Sequence, residues 1–242
     1  MSAVRSPLSR ASRRAGRKAR ASAGAVSRVK CSAPRTFLRL LLLVVGVLVV
    51  ANIAIALAVP VARLSVDGSS PAQLEGIGHL RAVDDKVWRG DSPNRAGYAG
   101  LADAGVTTVV DLRAEKDLRP PLDLLRELGL RRVALPVRDG QTPTRAQVHA
   151  FQEVVAQSRG LVYVHCGAGV GRTGSMAGAY AVGAGERTAA GAVAANLSVG
   201  PPSLEQIWYV ASSGETLAPP PGPVVAVSRV LDAPRRLWSY VH

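Results

Sequence analysis

The chain has 242 residues and a formal charge of +13, enough for one medium domain with extensions. The charge first suggests nucleic acid, but residues 1–39 carry eleven of the 30 basic residues and none of the 17 acidic ones, which leaves 19 bases against 17 acids in the rest. A nearly neutral body excludes a nucleic-acid partner, and two cysteines, Cys31 and Cys166, exclude a disulfide scaffold.

Residues 1–39 are rich in Arg, Ser, Ala and Gly, which predicts a disordered basic tail. Leu40 to Ala62 is uncharged, with Asn52 its one polar interruption. Its 23 residues would span roughly 34 Å as a helix, enough for a ~30 Å hydrocarbon core. This predicts a single-pass transmembrane helix over 40–62. A cleaved signal ending near Ala56-Leu57-Ala58 is the rival. Positive charge before the helix predicts a cytoplasmic N-terminus at the cell membrane, with the following domain on the opposite face.

A spacer over 63–83 leads to a domain expected over 84–213. Lys86 to Pro93 reads as a short strand and turn, and Asn94 as the cap of a helix ending near Ala104. Val106 to Leu112 reads as a strand, Pro121 to Leu128 as a helix, and Arg131 to Leu135 as a strand. A helix over 144–158 and a strand over 161–165 follow, then a helix after the loop at 166–171. Gly191 to Leu197 and Ser203 to Ser212 read as further helices. Strands alternating with helices predict an α/β fold, a central mostly parallel sheet flanked by helices. Residues 214–242 form a Pro-rich C-terminal segment, expected to lie on the membrane, on the domain, or in no fixed structure.

The most specific segment is His165-Cys166-Gly167-Ala168-Gly169-Val170-Gly171-Arg172-Thr173-Gly174, between a strand and a helix. Small residues let a loop curl so that successive N–H groups converge, and the helix start adds a positive dipole end. Arg172 supplies a planar two-pronged donor matched to phosphate oxygens. Gly167, Ala168, Gly169, Val170, Gly171 and Arg172 are therefore the expected phosphate-binding set. A thiol among such donors belongs to the class whose titration falls from ~8.5 to roughly 3.5–7.5. Cys166 is thus expected to be a nucleophile rather than a buried structural thiol.

This segment resembles the signature of the cysteine-dependent protein tyrosine phosphatase superfamily, and its Ala-Gly-x-Gly-Arg-Thr-Gly form the dual-specificity branch. The resemblance extends more weakly over about residues 84 to 213. It implies a phosphatase-type fold and two-step hydrolysis through a phosphocysteine, without metal or cofactor. It places Cys166 as nucleophile, Arg172 as phosphate clamp, Thr173 as the hydroxyl assisting the departing thiolate, and His165 as the residue that orients the loop. Trp88-Arg89-Gly90-Asp91-Ser92-Pro93 is similar to the family's opening segment.

The leaving oxygen needs an acid. Asp139, in Leu135-Pro136-Val137-Arg138-Asp139-Gly140-Gln141-Thr142-Pro143, resembles the family's acid loop. Asp111 is the rival carboxylate, more readily read as a structural partner of Arg113. Gln206 is open between a substrate contact and a helix-surface amide. The loop has Arg172 as its one cation, which suits a single phosphate on a protein, tyrosine first. The membrane segment makes the bilayer a partner and keeps a phospholipid or small phosphate ester as an alternative substrate. An inactive phosphate-binding module and a rhodanese-like sulfurtransferase are the remaining alternatives.

Overall fold

A computed structural model describes residues 33–65, 73–115, 122–214 and 217–241. Most of the expected basic tail, including Cys31, and the middle of the spacer lie outside the described residues. The chain divides between Leu43 and Val44; the described part of the first unit is the opening of helix α1, Ala33–Ser65.

α1 is longer than the expected 40–62 span. Within it, Thr36–Leu64 is long and apolar enough to cross a membrane, by length and composition. Its side chains, Leu40 to Val50 among them, are largely exposed, as befits a helix with no polar face. Near its end, Arg63 Nε donates to the Ser198 carbonyl at 2.9 Å.

The second unit is built on a five-stranded sheet. In chain order it contains β1 (Arg81–Ala82), β2 (Val87–Gly90), α2 (Arg95–Asp103), β3 (Val106–Arg113), α3 (Leu122–Glu127), β4 (Arg131–Val137), α4 (Arg145–Gln157), β5 (Leu161–His165), α5 (Gly171–Gly183), α6 (Ala189–Val199), α7 (Leu204–Ser212) and α8 (Gly222–Val241). The strand order is β1-β2-β5-β3-β4. β1 pairs antiparallel with β2, and every other pairing is parallel. This is the mixed α/β sheet expected from the alternating pattern.

β3 and β5 are buried nearly throughout, because a parallel sheet covered on both faces must be apolar on both. Alternation then sorts their side chains. Val110, Leu112, Val162 and Val164 pack with Val148, Phe151, Met176, Tyr180 and Val210 from α4, α5 and α7. Val109 and Tyr163 face Tyr98, Leu101, Leu124 and Leu125 from α2 and α3. Full burial of each large apolar side chain contributes roughly 1.5–3 kcal/mol. Small residues let α5 run close to its neighbours: a Cβ on Gly178 would meet Val210 Cγ1 at 2.8 Å.

Asn94, Thr144 and Ser203 each cap a helix by accepting from the backbone N–H three residues on. The C-terminal segment forms a helix after the prolines at 219–221. α8 begins just after Pro221, and its Ser228 and Leu231 are buried. The Glu205 N–H donates to Ser228 Oγ at 3.1 Å, which ties α8 to the first turn of α7. Pro223 falls in the opening turn of α8, where a missing N–H costs nothing.

Candidate active site

β5 ends at His165, α5 starts at Gly171, and the loop between them carries Cys166, which is free and 3% exposed. The loop carbonyls decide its chemistry, because each is tied outward. His165 Nδ1 lies 2.9 Å from the Cys166 carbonyl. The Ser92 N–H donates to the Gly167 carbonyl at 2.9 Å, and His79 Nδ1 lies 2.9 Å from the Ala168 carbonyl. Arg89 Nη2 donates to the Gly169 and Val170 carbonyls at 2.7 and 3.4 Å. In a trans peptide the carbonyl and the following N–H point in opposite directions, and the described residues contain no cis bond. Five consecutive carbonyls held outward therefore turn the N–H groups of Gly167, Ala168, Gly169, Val170 and Gly171 the other way.

Gly169 has φ 72°, and a Cβ there would meet the Asp91 N–H nitrogen at 2.6 Å. Both the left-handed backbone and the close approach to the end of β2 require glycine.

The pocket has a volume of about 250 Å³ and is lined by Cys166, Ala168, Val170, Gly171 and Arg172, by Asp139 and Gly140, by Pro201, Pro202, Ser203 and Gln206, and by Asp232 of α8. Arg172 is 6% exposed. Its Nη1 donates to both carboxylate oxygens of Glu115 at 3.0 and 2.9 Å and to the Val137 carbonyl at 3.3 Å. Its Nη2 lies 3.2 Å from Asp139 Oδ1. Burial alone lowers the Arg172 pKa, but Cys166, Glu115 and Asp139 outweigh it and raise it. Glu115 is lowered: the Arg172 hydrogen bond overcomes its desolvation.

The two candidate acids differ sharply. Asp139 lies on the loop after β4, its side chain 67% exposed. Asp111 is 1% exposed. Its Oδ1 accepts from Arg113 Nε at 2.9 Å and from the Arg113 N–H at 3.0 Å, and its Oδ2 from Arg113 Nη2 at 3.1 Å and Arg132 Nη2 at 3.0 Å. Burial would raise this carboxyl, yet the arginine hydrogen bonds hold it at about 2. Asp111 is thus a charged clasp between β3 and β4, with no proton to give at neutral pH.

His165 is buried and stacked on Tyr163. Desolvation pushes its imidazole down to about 4, so it is neutral at pH 7, and its carbonyl partner assigns the hydrogen to Nδ1. Thr173 is buried in the first turn of α5, and its hydroxyl has no hydrogen-bond partner among the described residues. Gln206 is not a surface amide: it is 3% exposed, accepts from the Ser203 N–H at 3.0 Å and donates to the Gln141 carbonyl at 3.3 Å. It is a strut between α7 and the loop that carries Asp139.

Sequence reasoning missed Glu115, Arg89, His79 and Ser92. Glu115 had a usable signal, since it follows Asp111-Leu112-Arg113 past the carboxyl end of a central strand, where open α/β sheets gather ligand groups.

A cysteine at the tip of the central strand, in a loop of inward N–H groups closed by an arginine, together with this sheet, defines a dual-specificity-type cysteine phosphatase domain. Residues 73–210 match the family described as DSP-PTPase phosphatase fused to NAD+ kinase, and the chain belongs to that family. It is 36% identical over 96 residues to the probable NAD kinase 2, chloroplastic, of Oryza sativa subsp. japonica, and 37% identical over 95 residues to NAD kinase 2, chloroplastic, of Arabidopsis thaliana. Each match covers 37% of this chain and 10% of the relative, so the chain spans about a tenth of the length of these curated relatives. The crystal structure of PTPMT1 in complex with PI(5)P superposes with a TM-score of 0.51 at 21% identity, covering 57% of this chain and 96% of that one.

Proposed function

We propose that the chain is a membrane-anchored phosphate-monoester phosphatase that works through a phosphocysteine. The observation that carries this reading is the outward tie of five consecutive loop carbonyls around Cys166 and Arg172, which aims the intervening N–H groups at one spot. Such preorganised donors stabilise the charge of a phosphoryl group in transfer.

In the first step the Cys166 thiolate attacks phosphorus. An S–P bond forms, the P–O bond to the leaving group breaks, and Asp139 protonates the departing oxygen. In the second step a water attacks the phosphocysteine and gives its proton to Asp139. The P–S bond breaks, inorganic phosphate leaves, and the Thr173 hydroxyl stabilises the returning thiolate. His165, neutral, holds the Cys166 carbonyl. No step needs a metal or a cofactor.

The favoured substrate is a phosphoprotein, phosphotyrosine first. Gly167, Ala168 and Val170 put no extra cation in the loop, and Asp139 and Asp232 line the pocket. A phospholipid is the second reading. The apolar Thr36–Leu64 helix would hold the site at a bilayer, and the similar PTPMT1 fold was solved with PI(5)P.

The test uses the detergent-solubilised full chain, assayed with a phosphotyrosine peptide and with a phosphatidylinositol monophosphate in vesicles. Chelator-resistant phosphate release is expected, faster on the peptide, and lost in Cys166→Ser while orthovanadate binding persists. No release from either substrate would make the domain a phosphate-binding module. Preference for the vesicle would establish the lipid reading.

A further inference from the structure

Arg89 sits at the end of β2 in the Trp88-Arg89-Gly90-Asp91-Ser92-Pro93 segment, outside the pocket. It is 5% exposed. Its Nη2 donates to the Gly169 and Val170 carbonyls, and both Nη atoms lie 3.3 Å from Asn196 Oδ1 of α6. Among the described residues, no carboxylate shares its hydrogen bonds. A buried guanidinium without a carboxylate partner is costly, so its position calls for a reason. Desolvation lowers it to about 10, partly countered by Cys166 and Tyr163, and it remains charged at neutral pH.

We infer that Arg89 is a positioning residue for the phosphate loop: from a buried site it holds the Gly169 carbonyl outward and supports that of Val170, which also accepts from the Gly174 N–H of α5 at 3.0 Å. This rests on the phosphatase reading above. The hydrogen bonds orient the N–H groups that follow these carbonyls, chiefly that of Val170, and so act on phosphate affinity. Arg172, the other buried guanidinium at the loop, is instead engaged by two carboxylates.

The experiment measures orthovanadate binding to the detergent-solubilised full chain, beside its release of phosphate from an aryl phosphate. In Arg89→Met, the vanadate dissociation constant is expected to rise at least about tenfold, the size of losing one charge-assisted hydrogen bond. Arg89→Lys keeps the charge and loses the fork, so vanadate binding should stay weakened in it. An unchanged dissociation constant in folded Arg89→Met would overturn the inference. If Arg89→Met does not fold, Arg89→Lys decides, and wild-type vanadate binding in it overturns the inference. A wild-type chain that binds orthovanadate but releases no phosphate would instead refute the phosphatase reading.

Discussion

Arg172 Nη1 grips both oxygens of Glu115, at 3.0 and 2.9 Å, while Nη2 reaches Asp139. One guanidinium thus joins the end of β3 to the loop after β4, with its plane set by two carboxylates before any phosphate arrives. Arg172→Lys should lower turnover by at least ~10²-fold, comparable to deleting a preorganised transition-state donor. Glu115→Gln keeps the shape and removes the charge, and should cost about tenfold in kcat/KM, one charge-assisted hydrogen bond's worth. Steady-state kinetics on one aryl phosphate checks both; near-normal activity in Arg172→Lys would break the clamp assignment.

Asp139 is the exposed carboxylate beside that clamp. If it protonates the leaving oxygen, Asp139→Asn should slow tyrosyl and alkyl phosphates far more than an aryl phosphate with an acidic phenol. General acid catalysis is worth about 10²–10⁴-fold, so the gap between substrates should approach that range. The measurement is kcat across a leaving-group series. Equal slowing of every member would leave Asp139 as a turn residue, and Asp111, held ionised by Arg113 and Arg132, could not take its place.

His165 makes stability depend on pH in a defined window. Its folded pKa is about 4 against an ordinary 6.5, so below pH 6.5 the unfolded chain binds a proton that the folded one refuses. Stability is complete above about 6.5 and falls as pH drops toward 4, by about 3 kcal/mol in all. Thermal melts at a series of pH values check this. His165→Asn should flatten the window between 6.5 and 4 at the cost of a lower Tm at pH 7.

The Thr36–Leu64 helix should keep the full chain in membranes through both high-salt and alkaline washing. Salt screens a basic tail's attraction to anionic lipid and leaves a spanning helix in place. Release by salt alone, or a mature N-terminus near Val59, would replace the anchor with a peripheral tail or a cleaved signal.

Much of the fold was legible because it is written locally. Asn94, Thr144 and Ser203 announce helix starts, and the apolar run from Leu161 to Val164 announces a buried strand. Cys166 and Arg172 stood out for the same reason: the loop's requirements fall within ten consecutive residues. The supports for that loop were not legible. Arg89 reaches a carbonyl 80 positions away and His79 one 89 positions away, and a side chain that serves a distant backbone oxygen leaves no periodicity or spacing behind. Gln206 read as ambiguous because its capping role is local while its bond to the Gln141 carbonyl is not. α8 was not legible, because the prolines at 219–221 that precede its start break the local pattern.

The long reach of Arg89, Ser92 and His79 also sets when the loop becomes competent during folding. A fragment containing only β5, the loop and α5 has the cysteine and the arginine, with His165 on the Cys166 carbonyl, but nothing to turn the carbonyls of Gly167, Ala168 and Gly169. The cradle cannot close until β2 has joined β5, a parallel pairing of residues far apart in the chain, and such contacts form late because the intervening loop must first be closed. Vanadate binding during refolding should therefore lag the recovery of helical signal. On the proposed phosphatase mechanism, a nascent chain that has just produced Cys166 would hold a nucleophile without its oxyanion receptor, and reactivity toward phosphate would be switched on by the last long-range contacts rather than by synthesis of the motif.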